Sequence, residues 1–210
     1  MKLLHLTFSP RGEESESTQL SRAIVNQLCS QHSVSCIIRR DWRLNATSAI
    51  DADYAKALAN AASAKSDNTS LEGSLEESER LICELEEADL VVIGTPMHNF
   101  TVPASLKTWI DLVVRVNRSF NITPTGKVGT LNSKPVYIAI ASGGFFGSEH
   151  SRQPDFLTPY LKAILATIGL HDVRFFSAQG MALDINKVKA QRQHALSHVM
   201  TIDTAISQPG

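Results

Sequence analysis

The sequence has few cysteines, and none of them is arranged as a redox or metal motif. Cys29, Cys36 and Cys83 are the three, and no C-x-x-C pair occurs. An odd number of widely spaced cysteines argues against a disulfide framework and is typical of a reducing compartment. We therefore expect a cytoplasmic protein in which these thiols are small, buried apolar residues.

A strong charge of either sign and a long apolar run are also missing. The 210 residues include 20 basic and 21 acidic side chains, which gives a formal net charge of −1. This balance provides no electrostatic reason to expect nucleic acid or an anionic membrane as a partner. No apolar run approaches the roughly 20 residues that span a bilayer. The N-terminal segment also lacks the small-residue cleavage site of a signal peptide.

The sequence does contain a regular alternation of strand and helix patterns. Apolar segments at 2–8, 34–40, 89–94, 134–142 and 172–179 predict five strands. Helices are predicted between and after them, at 17–31, 74–88, 103–116, 155–169 and 184–207, with one or two weaker helices within 45–75. This alternation indicates a parallel sheet. The predicted fold is a doubly wound, flavodoxin-like α/β domain that spans residues 1–210, with strand order 2-1-3-4-5 and helices on both faces.

In such a sheet a ligand binds beyond the carboxyl ends of the strands, where the strand order reverses. Three loops should meet there, one after each of the first, third and fourth strands. The first loop, residues 9–17, contains neither G-x-G-x-x-G nor G-x-x-x-x-G-K-[ST], so a dinucleotide fingerprint and an NTPase P-loop are absent. Its hydroxyls, with that of Thr18, suit a phosphate monoester at a helix N-terminus. They suit an ordinary helix cap equally well.

The other two loops carry apolar and amide groups that are unusual at the end of a buried strand. We expect the segment TPMHNF to expose the side chains of Met97, Asn99 and Phe100, which would then contact a flat heteroaromatic ring. The segment SGGFF offers two glycines, which let a backbone approach such a ring. A plain turn would use the same glycines, but exposed aromatic residues beside them favour a planar partner. An isoalloxazine that carries a phosphate group would match these loops, because it combines a flat ring with a polar edge and an anion.

The segment PMHNFTVPASLKTWID resembles a motif of the FMN-dependent NADH-azoreductase family, also described as FMN-dependent NADH:quinone oxidoreductases. The similarity covers most of the chain and includes SESTQLS, RVNRSF, SGG and LTPYLKAILATIGLHDVRFFSAQG. It implies a homodimeric enzyme that holds one FMN per chain non-covalently. With NADH as electron donor, such an enzyme reduces quinones and aromatic azo compounds by ping-pong two-electron transfer. The flavin carries this chemistry, so no catalytic side chain and no metal are expected.

By motif position, the resemblance implies three groups of site residues. The FMN phosphate and ribityl region are assigned to Ser9, Ser15, Glu16 and Ser17. The isoalloxazine is assigned to Met97, His98, Asn99 and Phe100, with Ser142, Gly143 and Gly144 on its pyrimidine side. The substrate pocket is assigned to Phe120 and His98, and Phe145 of the glycine loop is placed with them.

Three of these residues depart from the family pattern. His98 stands where an aromatic residue is common, and Ser142 where several relatives carry Arg. Glu16 brings a carboxylate to the phosphate loop, so we expect only its backbone N–H to face the phosphate.

Two other functions stay open, a flavodoxin-like electron carrier and a regulatory flavin-binding module. A flavodoxin is usually much more acidic and lacks the motif after the third strand. Residues 117–133 are long for a crossover loop and include Phe120, Ile122 and Val128. We expect a structureless loop near a partner chain, and therefore a homodimer. His194 and His198 are four apart but have no third ligand, which favours a solvated helix face over a metal site.

Overall fold

The structure is a computed structural model and describes residues 1–42, 51–62, 73–147, 151 and 153–202. Its strands are β1 (Lys2–Thr7), β2 (Cys36–Asp41), β3 (Leu90–Pro96), β4 (Phe120–Thr123), β5 (Gly126–Gly129), β6 (Val136–Ala141) and β7 (Val173–Ala178). Its helices are α1 (Glu16–Gln31), α2 (Ala52–Ala62), α3 (Ser74–Glu87), α4 (Ala104–Val113), α5 (Thr158–Thr167) and α6 (Ile185–Val199), with a 3₁₀ turn at Gly12–Glu14.

Five parallel strands form the main sheet in the order β2-β1-β3-β6-β7. This is the predicted order, because β4 and β5 form a separate hairpin, so the flavodoxin-like prediction is confirmed. The register pairs Thr7 with Gly94 and Pro96 with Ala141. The carboxyl ends of β1, β3 and β6 therefore lie together at one edge of the sheet, and the strand order reverses between β1 and β3.

Apolar side chains cover both faces of this sheet. On one face, Leu20, Ile24 and Leu28 of α1 pack in the cluster that includes Leu90 and Val92 of β3. On the other face, the cluster includes Val91 and Ile93 of β3 with side chains of α3, α4 and α5. Successive residues of a strand point to opposite faces. The continuous apolar run of β3 thus supplies both layers of the core.

The segment 117–133 contains a secondary structure that the sequence analysis missed. We predicted a structureless loop, and this was wrong: β4 and β5 pair antiparallel, with Phe120 opposite Gly129 and Thr123 opposite Gly126. Pro124 and Thr125 form the connection, and Gly126 has a φ of +122° that few other residues adopt. A turn-forming Pro-Thr-Gly between two short segments was the available signal.

Other differences concern the ends of elements and the thiols. The last helix ends at Val199 and not at 207, and residues 203–207 lie outside the described part of the chain, as do the predicted helical residues 45–50 and 63–72. The expectation of three buried thiols was wrong, since Cys36 is exposed on the edge strand β2 and the other two are partly exposed. No helix among the described residues is both long and apolar enough to cross a membrane.

Candidate functional site

The loop between β1 and α1 gathers three hydroxyls at a helix N-terminus. Ser9, Ser15 and Ser17 are all buried, and the Ser15 and Ser17 hydroxyl oxygens lie 3.0 Å apart. Ser15 is the N-cap residue of α1, yet its side chain makes no capping hydrogen bond. The N–H groups of the first turn and the positive end of the helix dipole therefore face a pair of buried hydroxyls. This arrangement suits an anion.

Glu16, the first residue of α1, directs its carboxylate away from these hydroxyls. Arg192 of α6 donates to it through Nε at 2.9 Å and through a second guanidinium nitrogen. Such a bidentate pair holds both side chains in a fixed geometry. The negative charge of Glu16 is thus compensated on α6.

The loop after β3 forms a tight turn from His98 to Thr101. The His98 N–H donates to the Thr101 carbonyl at 3.0 Å, and the Thr101 N–H donates back to the His98 carbonyl at 3.0 Å. The two central residues have positive φ, 47° for Asn99 and 70° for Phe100, as in a type I′ turn. Asn tolerates this conformation, but for a residue such as Phe it costs roughly 1–2 kcal/mol. Strain of this kind is found mainly at ligand sites and switch regions.

The turn directs polar groups and a ring outward. Within the described chain, the N–H groups of Asn99 and Phe100 have no hydrogen-bond acceptor. The side chains of His98, Asn99 and Phe100 are exposed. The strained turn thus presents two amide donors, a carboxamide, an imidazole and a phenyl ring beyond the end of β3.

The loop after β6 is hydrogen-bonded to the end of β7 and to the segment that follows it. The Ser142 N–H donates to the Ala178 carbonyl at 3.0 Å, and Met181 N–H donates to the Ser142 carbonyl at 3.0 Å. Gly143 is exposed and Gly144 is partly exposed, so bare backbone faces outward here. The half-exposed ring of Phe145 lies beside Gly180.

Main-chain and side-chain hydrogen bonds join these loops at one end of the sheet. The Met97 N–H donates to the Ala141 carbonyl at 2.8 Å, and the Phe8 N–H donates to the Gly94 carbonyl at 2.9 Å. Ser105 of α4 also donates to the Phe8 carbonyl. The hydroxyl-rich loop after β1, the polar turn after β3 and the glycine loop after β6 therefore lie together at the end of the sheet where the strand order reverses.

A family model described as a flavodoxin-like fold matches residues 1–202. The chain is 43% identical over 196 residues to FMN-dependent NADH:quinone oxidoreductase 4 of Pseudomonas fluorescens, which covers 93% of this chain and 92% of the relative. It is 44% identical over 190 residues to FMN-dependent NADH:quinone oxidoreductase 5 of Burkholderia lata, with 90% of each chain covered. The chain belongs to the FMN-dependent NADH:quinone oxidoreductase family.

Solved structures with lower identity share the fold. An azoreductase from Bacillus anthracis has a TM-score of 0.83 at 22% identity, covering 96% of this chain and 98% of that one. An FMN-dependent NADH-azoreductase from the same species, solved in complex with FMN, has a TM-score of 0.77 at 22% identity, covering 94% and 97%. The oxidoreductase family assignment rests on the curated relatives, and these structures support the architecture.

Two side chains assigned to the oxidoreductase site are more buried than expected. Met97 is only 8% exposed and packs in the core, with its sulfur 3.8 Å from the Ser142 hydroxyl and 3.5 Å from the Gln153 amide nitrogen. The expectation of an exposed thioether was wrong, because the alternation of β3 continues past its end and turns Met97 toward the core with Ile93. Phe120 is 6% exposed, and the Lys127 ammonium lies 5.1 Å from its ring centroid.

The sequence analysis missed a residue that adjoins the strained turn. The Phe156 N–H donates to the Phe100 carbonyl at 3.1 Å, while the Phe156 ring is 63% exposed. The Asp155 carboxylate fixes the following backbone by accepting from the N–H groups of Leu157 and Thr158. An Asp shortly before a helix that starts with Thr158 and Pro159 was the available signal for this position.

We expect replacement of Asn99 by Gly to weaken FMN binding by about 1–3 kcal/mol, because the carboxamide that is assigned to the ring by the family resemblance is lost. Gly keeps the positive φ of the turn, so the free energy of unfolding of the FMN-free protein should stay close to wild type. Asn99→Ala should show the same loss of affinity and, in addition, lose about 1 kcal/mol of stability. FMN fluorescence titration and urea unfolding measure the two effects. Wild-type FMN affinity and turnover in Asn99→Gly would mean that Asn99 only shapes the turn.

Proposed function

We propose that this protein is an FMN-dependent NADH:quinone oxidoreductase that also cleaves aromatic azo compounds reductively. The assignment is carried by the two relatives of that name, which are more than 40% identical over nine-tenths of the chain. The azoreductase names of the structural neighbours motivate the second activity.

The described residues fit FMN in their chemistry. The buried hydroxyls of Ser9, Ser15 and Ser17 would hold the phosphate with the N-terminus of α1. The carboxamide of Asn99 and the acceptor-free N–H groups of Asn99 and Phe100 would pair with the polar edge of the ring. His98 belongs to the same turn, and the backbone of residues 142–144 would close the pyrimidine side. Met97 would support the ring from the core, and Glu16 would contribute its N–H alone.

When bound, FMN supplies the redox chemistry, accepting a hydride equivalent from NADH and delivering two electrons to the acceptor. The chain orients the ring, excludes water from one face of it and leaves the other face for substrates. Phe100 and Phe145 are half-exposed at this end of the sheet and offer apolar surface to an aromatic acceptor. Phe120 is assigned to the same pocket by the family resemblance, although its ring is only 6% exposed in its own chain.

Oxidation of NADH with added benzoquinone tests this function. We expect turnover by the FMN-loaded protein, at a rate that saturates with both NADH and quinone. Benzoquinone and an aromatic azo dye should be tested separately, because the second activity has weaker support. A protein that binds FMN but gives no turnover with either acceptor would be an electron carrier or a regulatory module.

We expect parallel lines when the reciprocal of the initial rate is plotted against the reciprocal of the NADH concentration at several fixed quinone concentrations. The physical reason is a shared site, since one face of the ring must pack against the turn at His98–Thr101 and only the other face is left for both substrates. High quinone should then inhibit competitively with NADH. Intersecting lines would indicate a ternary complex and contradict the shared face, while leaving the flavoenzyme assignment intact.

The same proposal includes a homodimer. On the hairpin, Ile122 is 64% exposed and Val128 is half-exposed, and apolar groups of this size favour burial against a partner. Light scattering at micromolar concentration should give the dimer mass, and Ile122→Glu should lower it. A fully active monomer would contradict this part.

We further propose that residues 1–210 form one domain that works in the cytoplasm, which the three free thiols support.

A further inference from the structure

The loop assigned to the FMN phosphate carries more negative than positive charge. Residues 9–17 contain three glutamates, Glu13, Glu14 and Glu16, and one arginine, Arg11. A phosphate monoester adds a further charge of about −1.5 to −2 at neutral pH. Because like charges close together oppose each other's ionisation, positive charge from elsewhere in the chain would favour phosphate binding at this loop.

Glu16 is the glutamate whose charge matters most to this site. It is the first residue of α1 and lies between the buried Ser15 and Ser17. Its side chain is 18% exposed, whereas Glu13 is 66% exposed and Glu14 is also exposed. Successive Cα atoms are about 3.8 Å apart, so the Glu16 carboxylate stays within roughly 10 Å of the two serine hydroxyls. Water and salt screen a partly buried charge less than an exposed one, so Glu16 would repel a bound phosphate more than the other two glutamates.

Arg192 of α6 supplies the positive charge for the Glu16 carboxylate. Two nitrogens of the guanidinium donate to the two carboxylate oxygens, and the Nε donates at 2.9 Å. Among the residues that the structure describes, Arg192 has no second acidic partner. An ion pair that is partly open to water adds little to stability. Its larger effect is therefore on the charge beside the phosphate site.

The position of α6 beside α1 does not depend on this ion pair. Ala195 and Val199 of α6 pack in the same apolar cluster as Leu20 and Ile24 of α1. The side chain of Arg192 is 44% exposed and lies outside that cluster. We therefore expect both helices to stay in place when Arg192 is replaced.

We propose that Arg192 is a positioning residue for the FMN phosphate, because it binds the Glu16 carboxylate and so allows a phosphate to bind beside it. This inference rests on the proposed function, since it takes the anion at residues 9–17 to be the phosphate of FMN. Without Arg192, the Glu16 carboxylate would be unpaired next to the phosphate and would repel it. The affinity for FMN thus depends on a residue of α6 that makes no contact with the flavin itself.

The test compares FMN and riboflavin binding in wild type, Arg192→Gln, Glu16→Gln and the double variant. Fluorescence titration of the flavin-free proteins gives the affinities. Arg192→Gln should bind FMN about tenfold or more weakly, because an unpaired charge is left near a dianion. The double variant should recover most of this loss, because the carboxylate is also removed. Riboflavin has the same ring but no phosphate, so it should bind wild type and Arg192→Gln alike.

Lys162→Gln is the control for the loss of one positive charge. Lys162 is exposed on α5, which packs on the opposite face of the sheet from α1, so its replacement should leave the affinity for FMN unchanged. Added salt should reduce the difference between wild type and Arg192→Gln, because the screening length falls to about 3 Å at 1 M ionic strength.

Three outcomes would overturn the role of Arg192 while wild type still binds FMN and the proposed function stands. They are an unchanged affinity for FMN in Arg192→Gln, a double variant as weak as Arg192→Gln, and an equal loss of affinity for riboflavin. The last would mean that the ion pair is purely structural. A wild-type protein that binds no FMN would overturn the proposed function, and this inference with it.

Discussion

Ser15→Asp should lower the affinity for FMN by about a hundredfold or more while leaving the FMN-free protein as stable as wild type. The new carboxylate would lie at the N-cap of α1, where the phosphate is proposed to bind. Like charges about 4 Å apart repel by roughly 4 kcal/mol at the effective dielectric constant found near protein surfaces. Asp is as good an N-cap as Ser, and a negative charge is favourable at a helix N-terminus. FMN titration and urea unfolding measure the two effects separately.

Ser15→Asn is the control for this substitution. It has nearly the size of Asp and the same preference for the N-cap position, but no charge. It should retain FMN binding far better than Ser15→Asp. If Ser15→Asp binds FMN like wild type, the loop at residues 9–17 does not hold the phosphate. If it unfolds the FMN-free protein, the hydroxyl pair formed with Ser17 is primarily structural.

We expect the protein to lose about 3 kcal/mol of unfolding free energy through His5 as the pH falls from 6.5 to about 4. In the folded chain the pKa of His5 is lowered to about 4, first by burial and then by Arg39 and Arg22. In the unfolded chain the imidazole takes up its proton near pH 6.5, so the unfolded state binds more protons throughout this window. The stability is complete above pH 6.5 and is lost as the pH approaches the folded value.

Urea unfolding of wild type and His5→Gln across this pH range separates the contribution of His5 to the pH dependence of stability from the contribution of the carboxylates. The difference in unfolding free energy between the two proteins should shrink as the pH falls, because only wild type carries the histidine. His194→Gln, on the exposed face of α6, is the control for the loss of a histidine side chain at the surface. A constant difference between wild type and His5→Gln would show that His5 has an ordinary pKa in the folded protein.

The local sequence predicted the main sheet, because each strand and helix carries its own burial pattern. The run of Leu90 to Ile93 has no polar position, which predicts cover on both faces, and the structure buries all four. The stripe of Leu20, Ile24 and Leu28 likewise fixes the face of α1 that packs on the sheet. The right-handed crossover then leaves few strand orders, so the edge where the loops meet followed from the pattern alone.

The sequence also indicated which loops are candidates for the ligand site, since the hydroxyls, amides and paired glycines that follow the strands are visible in the residues themselves. It did not indicate how each loop is used. The left-handed conformation of Asn99 and Phe100 depends on the two hydrogen bonds between His98 and Thr101 and on the Phe156 N–H, which comes from a distant segment. The alternation of β3 points Met97 toward the core, but the contacts of its sulfur with Ser142 and Gln153 come from other loops and are set only by the tertiary structure.

The composition and periodicity of this chain thus determined its fold and the end of the sheet where the flavin is proposed to bind. Only the tertiary structure decided the pairing of charges. Glu16 meets Arg192 across 176 residues, and Arg39 lies beside His5 because β2 pairs with β1. Hydrophobic periodicity is a property of neighbours in sequence. The electrostatic potential at a buried histidine depends on charged groups that are distant in sequence and that only folding brings together.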